Sequence, residues 1–271
     1  MLGTGIVKKG EWGTIEGSFT LPADAVLNKP LIFIETPWTS EQDPKKDLMD
    51  FYVDDVLLKD VTPGGGNTPI GEYDYNGSNL GLTWQWNHNP DNRYWSLTDR
   101  SGYLRLTTGT KSTNLLDARN TLTQRTFGPE SSGSIAMEVS HMKNGDYAGL
   151  AVLQKEYGYV GVKMSGNTKS IVMVNGSSGS AVEVAAIPLT QDRVYFKVEL
   201  DYKRQTDKAY FYYSLNGVEW TAIGNTLQMR YTLPHFMGYR FALFNYATQT
   251  TGGYVDYDYF RIGNKMTGTS S

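Results

Sequence analysis

The chain has 271 residues, room for one large domain or one and a half at about 150 residues each. Its 25 Lys and Arg against 28 Asp and Glu leave a net charge of -3, which offers no electrostatic footprint for nucleic acid or anionic lipid. Cysteine is absent, which excludes thiol catalysis, disulfides and thiolate metal centres, and no apolar run nears the roughly 18 residues of a spanning helix, so neither nucleic acid nor a membrane is expected as a partner.

Helical periodicity is scarce, while period-2 alternation bounded by Gly, Asn, Asp and Pro recurs along the chain, so the expectation is all-β. The start, Met1 to Gly10, lacks the apolar stretch of a signal peptide and leads straight into strand-like sequence, as in a fragment of a longer polypeptide. Strand-like runs follow at Gly13 to Leu21, Pro30 to Glu35 and Asp50 to Leu58, too few for a closed sandwich. Residues 61–77, opening with a Gly and Pro run, read as a linker between a partial domain at 1–60 and a sandwich at 78–264, with a tail at 265–271.

Within the sandwich the clearest runs are Gly81 to Asn87, Tyr103 to Thr108, Ser134 to Met142, Tyr147 to Gln154, Tyr159 to Met164, Ile171 to Val174, Val194 to Asp201, Lys208 to Leu215, Tyr239 to Asn245 and Gly253 to Ile262. In Val194 to Asp201 the even positions are apolar and the odd ones polar or amphipathic, which predicts one core face and one wet face. Asn216-Gly217 and Asn144-Gly145 are tight-turn signals. Strands at such short spacing predict a sandwich or jelly roll.

The composition is aromatic, with 19 Tyr, 10 Phe and 6 Trp, and rings with a polar tip suit half-wet sugar-binding faces as well as β-structure in general. Trp84, Trp86, Tyr94, Trp95 and Tyr103 cluster around a polar turn that holds Asn87. Neutral sugars stack on flat rings while amides, carboxylates and guanidinium groups hold their hydroxyls. Trp84 and Trp86 share a strand face and read as core, which leaves Asn87, Tyr94 and Trp95 as ligand candidates. Tyr147, Tyr157 and Tyr159, with Asp146, form a second candidate platform.

A glycosidase needs two carboxyl groups about 5 to 9.5 Å apart. Glu199 with Asp201 and Asp256 with Asp258 have a suitable spacing. The first pair reads as a solvated strand face, and the second as buried hydrogen-bonding acids or calcium ligands. His88, His141 and His235 are scattered and read as packing residues.

The run Leu80 to Leu97, with Gly102 to Leu106 behind it, resembles the concanavalin A-like module at the C-terminus of family 43 glycoside hydrolases, also classed as family 91 carbohydrate-binding modules. Ala118 to Arg125, Gly145 to Leu150, Tyr212 to Gly217 and Val255 to Phe260 continue the resemblance. It implies a concanavalin A-like jelly-roll β-sandwich that accompanies a secreted, extracellular xylan-degrading enzyme and in some cases binds xylan or arabinoxylan. Its second implication is a structural accessory domain packed against the parent hydrolase's catalytic domain. Family 43 catalytic domains are five-bladed propellers of about 300 residues, which nothing in this sequence can encode, so hydrolysis by this chain alone is the least favoured reading. Residues 1–60 are similar to the C-terminal half of a family 4, 9 or 22 type carbohydrate-binding module through Glu11 to Pro22 and Asp50 to Leu58. That resemblance implies a structural calcium on Asp54 or Asp55, beside Asp146, Asp256 and Asp258 as further calcium candidates.

Overall fold

The computed structural model describes residues 71–177, 180–230 and 238–269. The strand-like runs before residue 60, Asp54, Asp55, His235 and most of the expected linker lie outside the described residues.

In chain order the strands are β1 (Glu72–Tyr73), β2 (Gln85–Trp86), β3 (Trp95–Ser96), β4 (Leu104–Thr107), β5 (Leu122–Arg125), β6 (Glu130–His141), β7 (Asp146–Leu153) and β8 (Gly158–Ser165). They continue as β9 (Thr168–Asn175), β10 (Val182–Leu189), β11 (Arg193–Asp201), β12 (Lys208–Ser214), β13 (Thr221–Ala222), β14 (Leu227–Gln228), β15 (Arg240–Ala247) and β16 (Tyr254–Gly263). Two antiparallel sheets result. A nine-stranded sheet runs β13-β12-β11-β6-β16-β4-β3, with β1 on β16 and β14 on β12, and a seven-stranded sheet runs β10-β9-β8-β7-β15-β5-β2.

Alternation explains the packing. Val194, Phe196, Val198 and Leu200 of β11 point between the sheets and are fully buried, as are Leu150 and Val152 of β7 and Val255 and Tyr257 of β16. Tyr257 carries its hydroxyl into that core because Oη lies 2.7 Å from Phe244 O and 2.9 Å from Gly149 O, which satisfies a group that would otherwise be costly to bury. The two turn signals hold, with Gly145 and Gly217 at φ of 88° and 77°, conformations that glycine adopts without strain.

Three expectations change. The sandwich begins before residue 78, since β1 pairs with β16 and Tyr75 is buried against Trp84. The stretch read as a tail is fastened to the nine-stranded sheet, where Thr267 and Gly268 donate backbone N–H groups to Glu199. The outer face of β11 is not wet at its middle: Lys197 is 5% and Glu199 0% exposed, because Trp220, Tyr212 and that C-terminal segment cover them.

A second buried cluster lies on the outer face of the seven-stranded sheet. Leu115 and Ala118, on the segment between β4 and β5, fold over Tyr157, Tyr159, Phe244 and Tyr246. Side-chain turns rigidify the cover: Asn114 Oδ1 accepts from Asp117 N at 3.2 Å, and Thr121 Oγ1 donates to Ala118 O at 3.1 Å.

Candidate functional site

The expected ligand residues separate into three places. Asn87 is exposed, and its backbone N–H donates to Thr121 O. Trp95 sits on the edge strand β3 and meets Trp86 of the opposite edge strand β2, ring centroids 5.2 Å apart. The pair closes the gap between the sheets, and the Trp95 indole N–H donates to Asn92 Oδ1 at 2.8 Å. Trp95 is therefore an edge plug, as is Trp86, while Trp84 is core as its strand spacing predicted.

Tyr94 ends the 3-10 turn Asn92–Tyr94, which Asp91 caps by accepting from Arg93 N. The Arg93 guanidinium beside Asp91 holds that carboxyl down to about 2. Asn120 clamps the turn from across the loop, donating to Asp91 O at 2.9 Å and accepting from Asp91 N at 2.8 Å. The Tyr94 ring lies against Gly109 so closely that a Cβ there would stand 2.4 Å from it.

Beyond Tyr94 the seven-stranded sheet has a gap, because β5 pairs with β15 only as far as Leu243. Tyr94, Asn120, Thr108, Asn245 and Tyr246 line a pocket in that gap of about 20 Å³, room for about one water or hydroxyl group. Asn245 is 9% exposed on the core-facing register of β15; its amide nitrogen donates to Leu106 O, and its buried Oδ1 accepts from no protein group.

Tyr246 joins the two expected platforms. Its ring stacks on Tyr147 at 5.2 Å and 8°, and its hydroxyl lies 3.2 Å from that of Tyr159. Tyr246 is itself buried at 6% exposure and links two half-buried rings, Tyr147, on which it stacks, and Tyr94, with which it shares the pocket lining; Lys163 lies over Tyr147 and pairs with Glu183. Tyr157 and Tyr159 stack on each other, but at 5% and 2% exposure they are core, and burial pushes both phenols up. Asp146 does not join them. Neighbours on a strand face opposite ways, so its carboxyl turns inward, where Oδ2 accepts from Lys143 N at 2.8 Å and burial pushes it up to about 6. Asn245 and Tyr246 were not singled out by sequence; the available signal was a lone amide on the core-facing register of an otherwise apolar strand.

The remaining acids are each engaged separately. Asp256 takes a bidentate pair from Arg105 at 2.7 and 2.9 Å, Asp258 and Glu138 flank Arg193, Glu199 accepts from Lys197 and the C-terminal segment, and Asp201 accepts from Lys203 N. No group of three or more His, Asp or Glu residues able to hold a metal forms among the described residues. Calcium takes six to eight oxygens, and Asp256 and Asp258 instead meet guanidinium groups, so they do not fit that ion. Nor does either expected acid pair leave two carboxyl groups free to face one glycosidic bond.

A family model described as the beta xylosidase C-terminal concanavalin A-like domain matches residues 72–263. A bifunctional GH43-CE protein of Bacteroides eggerthii shares 55% identity at a TM-score of 0.72, over 76% of this chain and 27% of that one. A GH43 glycoside hydrolase engineered to display both endo-xylanase and exo-arabinofuranosidase activity shares 30% identity at a TM-score of 0.68, over 76% of this chain and 42% of that one. Among curated proteins, a beta-xylosidase of Formosa agariphila is 26% identical over 71% of this chain and 35% of its own length. A putative beta-xylosidase of Xylanibacter ruminicola is 32% identical over 55% of this chain and 26% of its own. The chain spans less than half the length of each of these relatives.

Proposed function

The chain belongs to the beta-xylosidase C-terminal concanavalin A-like family, and from that premise we propose that its sandwich is a non-catalytic accessory module that holds xylan or a related neutral polysaccharide for a glycoside hydrolase. The observation that carries this reading is the pair of half-buried rings Tyr94 and Tyr147, joined beneath the surface by the buried Tyr246, beside the small pocket at Asn120 and Thr108. The ring faces suit the C–H faces of sugars, while the pocket suits one hydroxyl rather than a whole ring. Such a polymer is met outside the cell, which makes this an extracellular module. The partners on this reading are xylan or arabinoxylan and the catalytic domain of a parent hydrolase. The relatives named as xylosidases support the substrate class.

Calorimetry of the chain against arabinoxylan, xylohexaose and laminarin tests it. Selective xylan binding that weakens about tenfold in Tyr94→Ala and in Tyr147→Ala, and is unchanged in Trp95→Ala, is the expected result. Equal affinity for laminarin, or none for any of the three, would sink the reading.

A second reading has its own observation. Tyr157 and Tyr159 are covered by the segment carrying Leu115 and Ala118, and Trp95 packs on Trp86 at the sheet edge, as in a domain built for rigidity. A module that only braces its catalytic domain binds none of the three sugars, yet its removal from the parent enzyme lowers Tm and activity.

A further inference from the structure

The outer face of the nine-stranded sheet carries a cleft unrelated to the tyrosine pair. Along the central strand β6 the outward residues are small, Ser132, Ser134 and Ala136, whereas the strands on either side carry long ones. Arg261, Ser134 and Lys197 stand in one row across β16, β6 and β11, and Tyr259, Ala136 and Tyr195 in the next. The register therefore makes a trough with β6 as its floor. Trp220, which sits just before β13 and lies 4.9 Å from Lys197 Nζ, forms one wall, and Tyr259 of β16 the other. With strands about 4.8 Å apart, β12 and β16 leave a span of roughly 14 Å between them. The open trough has a volume of about 270 Å³, far larger than the pocket at Tyr94.

The floor of the trough is hydroxylic and its one lysine is paired. Lys197 is cancelled by Glu199 at 3.2 Å, and its remaining donors reach Thr267 Oγ1 and Gly268 O, both at 2.8 Å. The Arg261 guanidinium carbon lies over the Tyr259 ring, 3.9 Å from its centroid, at the rim. Gly263, opposite Ser132 in the register, leaves the Ser132 hydroxyl uncovered, since a Cβ there would stand 2.7 Å from Oγ. Aromatic walls and serine hydroxyls around a charge-balanced Lys197–Glu199 floor are groups that can recognise a pyranose ring.

We infer that this trough is a second carbohydrate site, taking one pyranose unit of a neutral polysaccharide on the sheet opposite the tyrosine pair. It shares no residue with that pair, so either site stands or falls without the other.

The test titrates the full chain with xylohexaose by calorimetry, with near-ultraviolet dichroism to confirm that each variant is folded. The parent chain is expected to bind two oligosaccharides. Tyr94→Ala/Tyr147→Ala should retain one, and Ser134→Phe, which fills the floor of the trough while leaving both walls, should weaken that remaining event at least tenfold. Trp220→Phe should quench the ligand-induced change in tryptophan fluorescence. A double variant that binds nothing while the parent binds one oligosaccharide overturns the trough and leaves the tyrosine pair standing. Residual binding indifferent to Ser134→Phe overturns it as well, and so does a preference for oligogalacturonate, which would make Arg261 rather than the rings decisive. A parent chain that binds no neutral oligosaccharide overturns both sites.

Discussion

Replacing Glu199 with Gln tests whether the C-terminal segment seals the Lys197–Glu199 pair against the outer face of the nine-stranded sheet. Glu199 is fully buried and accepts from Thr267 N at 2.8 Å, Thr267 Oγ1 at 2.9 Å, Gly268 N at 3.0 Å and Lys197 Nζ at 3.2 Å. Hydrogen bonds to a charged group contribute about 1.5–3 kcal/mol, and removing one partner of a buried ion pair costs about 3–5 kcal/mol, because the other charge is left uncompensated. Gln keeps the shape and one acceptor, so the lower end applies, about 3 kcal/mol. Lys197→Met should cost a similar amount, and the two together less than their sum, with a coupling of at least about 1 kcal/mol. Urea unfolding followed by tryptophan fluorescence, at unchanged m-value, measures each corner of the cycle. The reasoning fails if Glu199→Gln lies within about 0.5 kcal/mol of the parent chain, if the pair is additive, or if about 1 M salt erases the difference as it does for exposed pairs.

Burial raises the Asp146 carboxyl from an ordinary 3.8 to about 6, so the fold favours its protonated form; the penalty for ionising it is absent below about pH 4 and complete once the pH has passed 6. Asp146→Asn should therefore match the parent chain at pH 4 and exceed it by about 2 kcal/mol at pH 8, read from urea midpoints at the two pH values. Gly149 pairs with Gly161 so closely that a Cβ on Gly149 would meet Val160 O at 2.3 Å and Gly161 Cα at 2.5 Å; Gly149→Ala should lose at least about 3 kcal/mol, whereas Gly81→Ala, with open space around it, should be nearly neutral. Asp256→Asn removes a bidentate partner from Arg105 and should cost about 2 kcal/mol, by the same amount with and without a chelator; a chelator-dependent cost would restore calcium at that strand.

Elements legible from sequence were those with strong local periodicity. The strand Val194 to Asp201 was found within one residue because four apolar side chains alternate with polar ones, and the Asn-Gly turns were legible because few residue pairs adopt that backbone. Strand β10 was missed. It lies at a sheet edge, contains Pro188, and breaks register between Glu183 and Ala185, so its alternation is scrambled. The aromatic residues of the candidate site were recognised by type, yet Tyr157 and Tyr159 proved buried. Exposure there depends on the segment carrying Leu115 and Ala118, distant in sequence from the rings it covers.

The sequence by itself determined the all-β class, most long strands, the core face of Val194 to Asp201 and the family, because these follow from period-2 patterning and local motifs that neighbouring residues carry together. Only the tertiary structure decided which polar residues are solvated and which rings are free. Those properties belong to faces formed by strands far apart in the chain: Thr267 seals Glu199, Tyr246 unites Tyr94 with Tyr147, and the small residues of β6 open a trough only because β11 and β16 flank them.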